Sequence, residues 1–152
     1  MTPPDLRLAF EIDVEVATPL DLGQTQCGHR RVVHIEGGRV SGPRLQGRIL
    51  RGGADWQIIR PDGTVDLEAR YTIQAEDGAL IYTINRGVRH APAEILASIA
   101  RGERVDPKLY YFRSSAIFET SAPQHDWLTR AIVFGVGERY RDKVIVRFWE
   151  LM

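Results

Sequence analysis

The sequence predicts an all-β fold, a single closed or nearly closed antiparallel β-barrel of about nine or ten strands carrying one short helix. Three observations predict it. Long stretches alternate apolar and polar residues with period two, turn-forming residues punctuate them at short intervals, and only one stretch shows helical spacing, with no βαβ alternation. Barrel closure would also remove the exposed edges that such long strands otherwise present. With 152 residues the chain falls in the usual size of one domain, so residues 1–152 are read as a single barrel domain.

Taken in order, residues Leu6–Val16 place Leu6, Leu8, Phe10, Ile12, Val14 and Val16 on one parity and Arg7, Glu11, Asp13 and Glu15 on the other. Further strands are expected over 31–35 and, with interruptions, over 39–50. Glycines 37, 38, 42, 47, 52 and 53 cluster there among Val40, Leu45, Ile49 and Leu50, which suits bulged and sharply bent strands at barrel corners better than a linker. A strand over 54–60 ends at Pro61-Asp62-Gly63, and residues 64–75 alternate Val65, Leu67, Ala69, Tyr71 and Ile73 against polar neighbours. Asp77-Gly78 turns the chain into a returning strand over 79–86. Over 92–101, Ile95, Leu96 and Ile99 fall at helical spacing, with Pro92 in the first turn, Glu94 near the positive end and Gly102 past the last turn. This segment is a helical plug or flap between two hairpins. Strands over 110–118, 128–136 and 144–151 complete the chain, the last two joined at Arg141-Asp142.

Composition narrows the function classes. Twenty basic residues balance twenty acidic ones, so no excess positive charge marks the chain for nucleic acid or for an anionic membrane surface. Apolar residues make up 43% of the chain, but none of their runs approaches the roughly 20 residues that span a bilayer. The Met-Thr-Pro-Pro-Asp start lacks the basic and apolar regions of a signal peptide, and a cytoplasmic location is expected. Cys27 is the single cysteine, which excludes an internal disulfide. A homodimer is a common outcome at this size, although no interface is legible.

The run from Gly37 to Gly47 (GGRVSGPRLQG), followed by Gly52-Gly53-Ala54-Asp55-Trp56, resembles the signature of the domain-of-unknown-function 3237 family, the UPF0311-type proteins. In order come Ala69-Arg70-Tyr71, Asp77-Gly78 with Ile81-Tyr82, Tyr110-Tyr111-Phe112-Arg113, Phe118-Glu119-Thr120 and Trp127-Leu128. The likeness runs from about Leu6 to the C-terminus. It implies a calycin-like or lipocalin-like barrel of bacterial or fungal origin, and it transfers no activity. Thr129 departs from the asparagine expected after Trp-Leu, which puts in doubt any role resting on that amide.

Candidate chemistry gathers in these segments. Asp55-Trp56 follows a glycine pair, where a bent backbone can aim a carboxylate and a large ring into a cavity; the duller alternative is a packed indole and a turn-capping carboxylate. On the strand that starts at Tyr110, one row holds Tyr110, Phe112, Ser114, Ala116 and Phe118, and the other holds Tyr111, Arg113, Ser115, Ile117 and Glu119. If the second row faces inward, Arg113 binds a substrate carboxylate through its planar fork and Glu119 acts as a general acid or base. If it faces outward, both are solvated charges, and about 20 Å of straight strand separates them. Tyr71, Tyr82 and Trp127 suit either a ligand cavity or core packing.

Metal and cofactor signatures are missing. His29, His34, His90 and His125 lack close ligand spacing, and Phe134-Gly135-Val136-Gly137 has neither a third glycine nor a following helix. No nucleophile elbow surrounds Ser114-Ser115 or Cys27. Two functions therefore stand. The first is a cofactor-independent isomerase, cyclase or lyase moving a proton on a small apolar or aromatic metabolite, carboxylated where Arg113 meets it. Its candidate catalytic residues are Asp55, Glu119 and Arg113, with Trp56, Tyr71, Tyr82, Tyr111 and Trp127 lining the ligand. The second is a non-catalytic, lipocalin-like carrier.

Overall fold

The computed structural model describes residues 1–152. Its ten strands are β1 (Leu6–Val16), β2 (Leu20–Thr25), β3 (Gly28–Ser41), β4 (Gly47–Ile49), β5 (Ala54–Ile59), β6 (Val65–Ala75), β7 (Leu80–His90), β8 (Tyr111–Glu119), β9 (Val133–Arg139) and β10 (Lys143–Leu151). Every pairing is antiparallel. The circuit runs β1, β10, β9, β8, β7, β6, then β4 and β5 sharing one position, then β3 and back to β1, which closes an eight-position barrel. β2 pairs with β3 beyond the point where β1 leaves it.

The 14-residue β3 makes this closure possible because its two halves serve different neighbours. His29 to His34 pair with β5, whereas Gly38 to Val40 pair with β4, and β1 lies along the same C-terminal half. The bend requires close backbone approach. A Cβ on Gly38 would stand 2.4 Å from the Asp13 carbonyl oxygen, so only glycine fits there. The hairpin between β6 and β7 turns on Gly78 at φ +88°, and the Asp77 carboxylate accepts a bond from the Ala79 amide.

Two details depart from the sequence expectation. Pairing of β1 with β10 shifts between Leu8 and Phe10, so Ala9 and Phe10 are both buried while Leu6 and Leu8 stay exposed; a bulge breaks the alternation read through the whole strand. The strand expected over 128–136 begins only at Val133. Pro123–Thr129 instead forms a 3-10 turn that drops Leu128 into the core. The expected helix is α1 (Ala93–Ala100), which buries no residue fully but rests Ile95 and Ile99 against the barrel wall. No helix is long and apolar enough to cross a membrane.

The inward rows set a gradient along the barrel axis. At one end Phe10, Phe118 and Phe148 meet with ring centroids 5.0 to 6.2 Å apart, surrounded by Ile73, Ile81 and Val133. Toward the other end the same rows become polar: β7 runs Ile81, Thr83, Asn85, Gly87, Arg89, and β9 runs Val133, Gly135, Gly137, Arg139. The barrel is filled at one end and hollow at the other.

Candidate active site in the hollow end

A small cavity of about 60 Å³ lies where the aliphatic core meets a second cluster of Val65, Leu67, Val105, Tyr110 and Phe112. Asp55, Tyr71, Asn85 and Ser114 supply its polar lining; Ile12, Val14 and Val146 supply part of its apolar lining. Above it a mouth of about 440 Å³ opens beneath α1, bordered by Leu96, Ile99, Val65, Arg31, Arg89 and Arg139. Successive inward residues of β6, Val65 at the mouth and Leu67 at the cavity, place the two spaces one above the other.

The backbone around Asp55 explains how a carboxylate comes to sit in the wall. β5 pairs with β6 at Ala54 and Asp55, and again at Ile58 and Ile59. Between those pairs the Glu68 amide donates to Asp55 Oδ1 at 2.9 Å. Gln57, buried beside it on the same parity, donates through Nε2 to Asp55 Oδ2 at 2.7 Å and accepts from Arg31 Nε at 2.9 Å. Burial pushes the Asp55 carboxyl above its ordinary value of 3.8, against the opposing pull of Gln57, Arg89, the Glu68 amide and Arg139. Part of its surface remains open to the cavity. A carboxyl held this way takes up and releases a proton nearer neutral pH than an exposed aspartate does.

The polar atoms facing it are held but uncommitted. Tyr71 Oη, Asn85 Oδ1 and Ser114 Oγ are buried without a hydrogen-bond partner in the protein. Burial raises the Tyr71 phenol, so it stays a neutral donor. Two glycines make the room. A Cβ on Gly135 would lie 2.2 Å from Ser114 Oγ, and one on Gly137 would lie 2.6 Å from the Phe112 ring. The Phe-Gly-Val-Gly stretch therefore serves as clearance opposite β8.

The candidate residues divide sharply by face. Asp55 and Tyr71 meet in the lumen. Tyr111, Arg113, Ser115, Ile117 and Glu119 all point outward, because β8 turns Phe112, Ser114, Ala116 and Phe118 inward. Arg113 donates from Nη1 to the Phe112 carbonyl at 3.0 Å and stands 5.1 Å from the Tyr111 ring centroid, so it is a surface group. Trp56 and Tyr82 border a groove on the outer wall with Arg70, whose Nη1 lies 3.5 Å from Tyr82 Oη. Trp127 lies near the filled end, with the Arg44 guanidinium 3.6 Å from its ring centroid. Of the residues not expected from the sequence, Arg31, Arg89, Arg139, Gln57, Asn85 and Ser114 complete the lumen. No three His, Cys, Asp or Glu side chains are grouped as a metal site: His29 bonds Asp21 at 2.6 Å and His125 bonds Asp77 at 2.7 Å.

A closed antiparallel barrel with a polar, partly hollow lumen defines the class. Residues 4–151 match the family described as protein of unknown function (DUF3237), and the chain belongs to it. A UPF0311 protein of Rhodopseudomonas palustris is 40% identical over 147 residues, covering 96% of each chain. The crystal structure of a conserved protein from that organism matches at a TM-score of 0.94 and 38% identity over 100% of both chains. More distantly, the hydroalkoxylation enzyme phnH of Penicillium herquei is 20% identical over 151 residues, or 99% of this chain and 85% of that one.

Proposed function

We propose that the protein is a cofactor-independent enzyme of the isomerase, cyclase or lyase type, which moves a proton on a small apolar or aromatic metabolite held in the hollow end. The observation that carries this reading is the Asp55 carboxyl: half-buried in the barrel wall, raised by desolvation, and facing a cavity whose other polar groups have side-chain atoms with no partner in the protein. Asp55 removes a proton from a C–H or O–H of the substrate and returns it to another atom, so nothing is oxidised or reduced. Tyr71 Oη donates to the oxygen that gains charge, and Asn85 and Ser114 orient the reacting end. The bulk of the molecule occupies the mouth under α1, since the cavity of about 60 Å³ holds only its reacting end. Hydroalkoxylation, the activity in the name of the distant relative phnH, adds an O–H across a C=C bond and is chemistry of this class.

The second reading is a carrier, favoured by the apolar lining from Ile12, Val14, Leu67 and Phe112. Incubating the protein with small aromatic and olefinic metabolites in deuterated water separates the two. Deuterium uptake at carbon, or product formation, that is lost in Asp55→Asn with the thermal midpoint retained supports the enzyme. Saturable binding without exchange, unchanged in Asp55→Asn, supports the carrier.

A further inference from the structure

Three arginines converge on the mouth from separate strands: Arg31 from β3, Arg89 from β7 and Arg139 from β9. Arg89 is only 3% exposed and Arg139 9%. Neither forms an ion pair, nor does Arg31, whereas nine surface arginines do; Arg60 with Asp66, Arg86 with Glu68 and Arg147 with Glu11 and Glu138 are examples. Arg89 Nε and Arg139 Nη1 are buried without a partner in the protein. Asp55, the carboxylate whose field reaches all three, spends its oxygens on Gln57 and the Glu68 amide, while Asp21 acts on Arg31 and Asp142 on Arg139 without an ion pair. No acidic residue borders the mouth, and Arg101 and Arg141 add to its rim. Burial, with Arg139 and Arg31 close by, lowers Arg89 to about 10, so the guanidinium remains charged at neutral pH. A buried cationic fork with free donors is the complement of a planar or tetrahedral oxyanion.

We infer that Arg31, Arg89 and Arg139 form a subsite for an oxyanion, the carboxylate or phosphate head of the molecule the barrel takes in. This rests on the lumen being the ligand site, and it names the substrate class: a small acid whose apolar part lies under α1 and whose reacting end reaches Asp55. Gln57 is the link between the two parts, because one amide side chain touches both Arg31 and Asp55. It therefore acts as a positioning residue.

The test is calorimetric titration of the full chain with benzoate, phenyl phosphate and neutral benzyl alcohol. Both anions should bind saturably, benzyl alcohol should bind at least about tenfold more weakly, and the tighter anion identifies the head group. Arg89→Met and, independently, Arg139→Met should each weaken the preferred anion by about tenfold or more, while Arg113→Met on the outer wall leaves it unchanged. Each variant should keep or raise the thermal midpoint, since an apolar side chain replaces an unpaired buried charge; should one fail to fold, the other carries the result. Absence of saturable anion binding, equal binding of benzyl alcohol, or full affinity in the folded arginine variants would overturn the subsite. Asp55→Asn separates this inference from the enzyme reading, because it should abolish exchange and still bind the anion.

Discussion

The two ends of this barrel follow opposite rules on one continuous set of strands. At the filled end, Phe10, Phe118 and Phe148 interlock with Ile73, Ile81 and Leu128, all buried and apolar. At the hollow end the same rows present Asn85, Ser114, Arg89 and Arg139, four buried polar residues each with a side-chain atom that lacks a protein partner. Each such atom costs about 1–3 kcal/mol, and more when it is charged, whereas a buried aromatic ring contributes about 3–5 kcal/mol by truncation. Stability alone would fill both ends alike. The arginines sharpen the contrast, because nine on the surface are ion-paired whereas the buried Arg89 and Arg139 are not, the reverse of what folding favours. Such a departure from stability rules, concentrated at one end, marks where the chain does its work.

Three substitutions, read in four measurements, test that division, from the largest expected effect to the smallest. Asp55→Asn should lower proton exchange on a substrate by about 10²–10⁴-fold with little change in thermal midpoint, read by deuterium incorporation. Retention of exchange would move the chemistry off this carboxyl. Phe148→Ala at the filled end should cost about 3–5 kcal/mol in denaturant unfolding while anion affinity at the mouth persists. A matching loss of affinity would show the ends to be coupled.

Gly135→Ala should cost about 1–3 kcal/mol, because its methyl meets Ser114 Oγ at 2.2 Å and Val146 Cγ1 at 2.9 Å, and it should block the cavity. Unaltered stability and binding would mean that the wall yields there. The smallest effect is in pH dependence. The folded Asp55 carboxyl lies above its unfolded value, so the protonated form favours folding. That contribution is complete below the ordinary value of 3.8 and fades as pH rises through the folded value. Wild type should therefore lose stability relative to Asp55→Asn as pH climbs from acid toward neutral. A wild type that instead gained stability relative to Asp55→Asn as pH rose would place the folded carboxyl below its ordinary value.

Much of the wall was legible in the sequence, because β6 and, from Phe10 onward, β1 bury one parity and leave the other more open, and period two reports that directly. β2 left no such signal: Leu20 and Leu22 are exposed in a strand with no buried face. The 3-10 turn at Pro123–Thr129 shares its apolar residues with the strand pattern that follows, which hid the boundary. The site was harder to read, for a physical reason. Polar residues on a strand ordinarily face water, so Asn85 and Arg89 on β7 look like its outer row, and Arg113 and Glu119 on β8 look equally suited to a lumen. Only closure of the sheet decides which parity is inside. Asp55 and Tyr71 could be found because a carboxylate after a glycine pair and a tyrosine within an apolar row each stand out from their neighbours.

The most direct measurement is a crystal structure of the protein soaked with benzoate and, separately, with phenyl phosphate. The account predicts the anionic head within hydrogen-bond distance of Arg89 and Arg139, with the ring beneath α1 and directed toward Asp55. Density in the outer groove beside Trp56 and Tyr82, with the mouth still free of ligand, would contradict it.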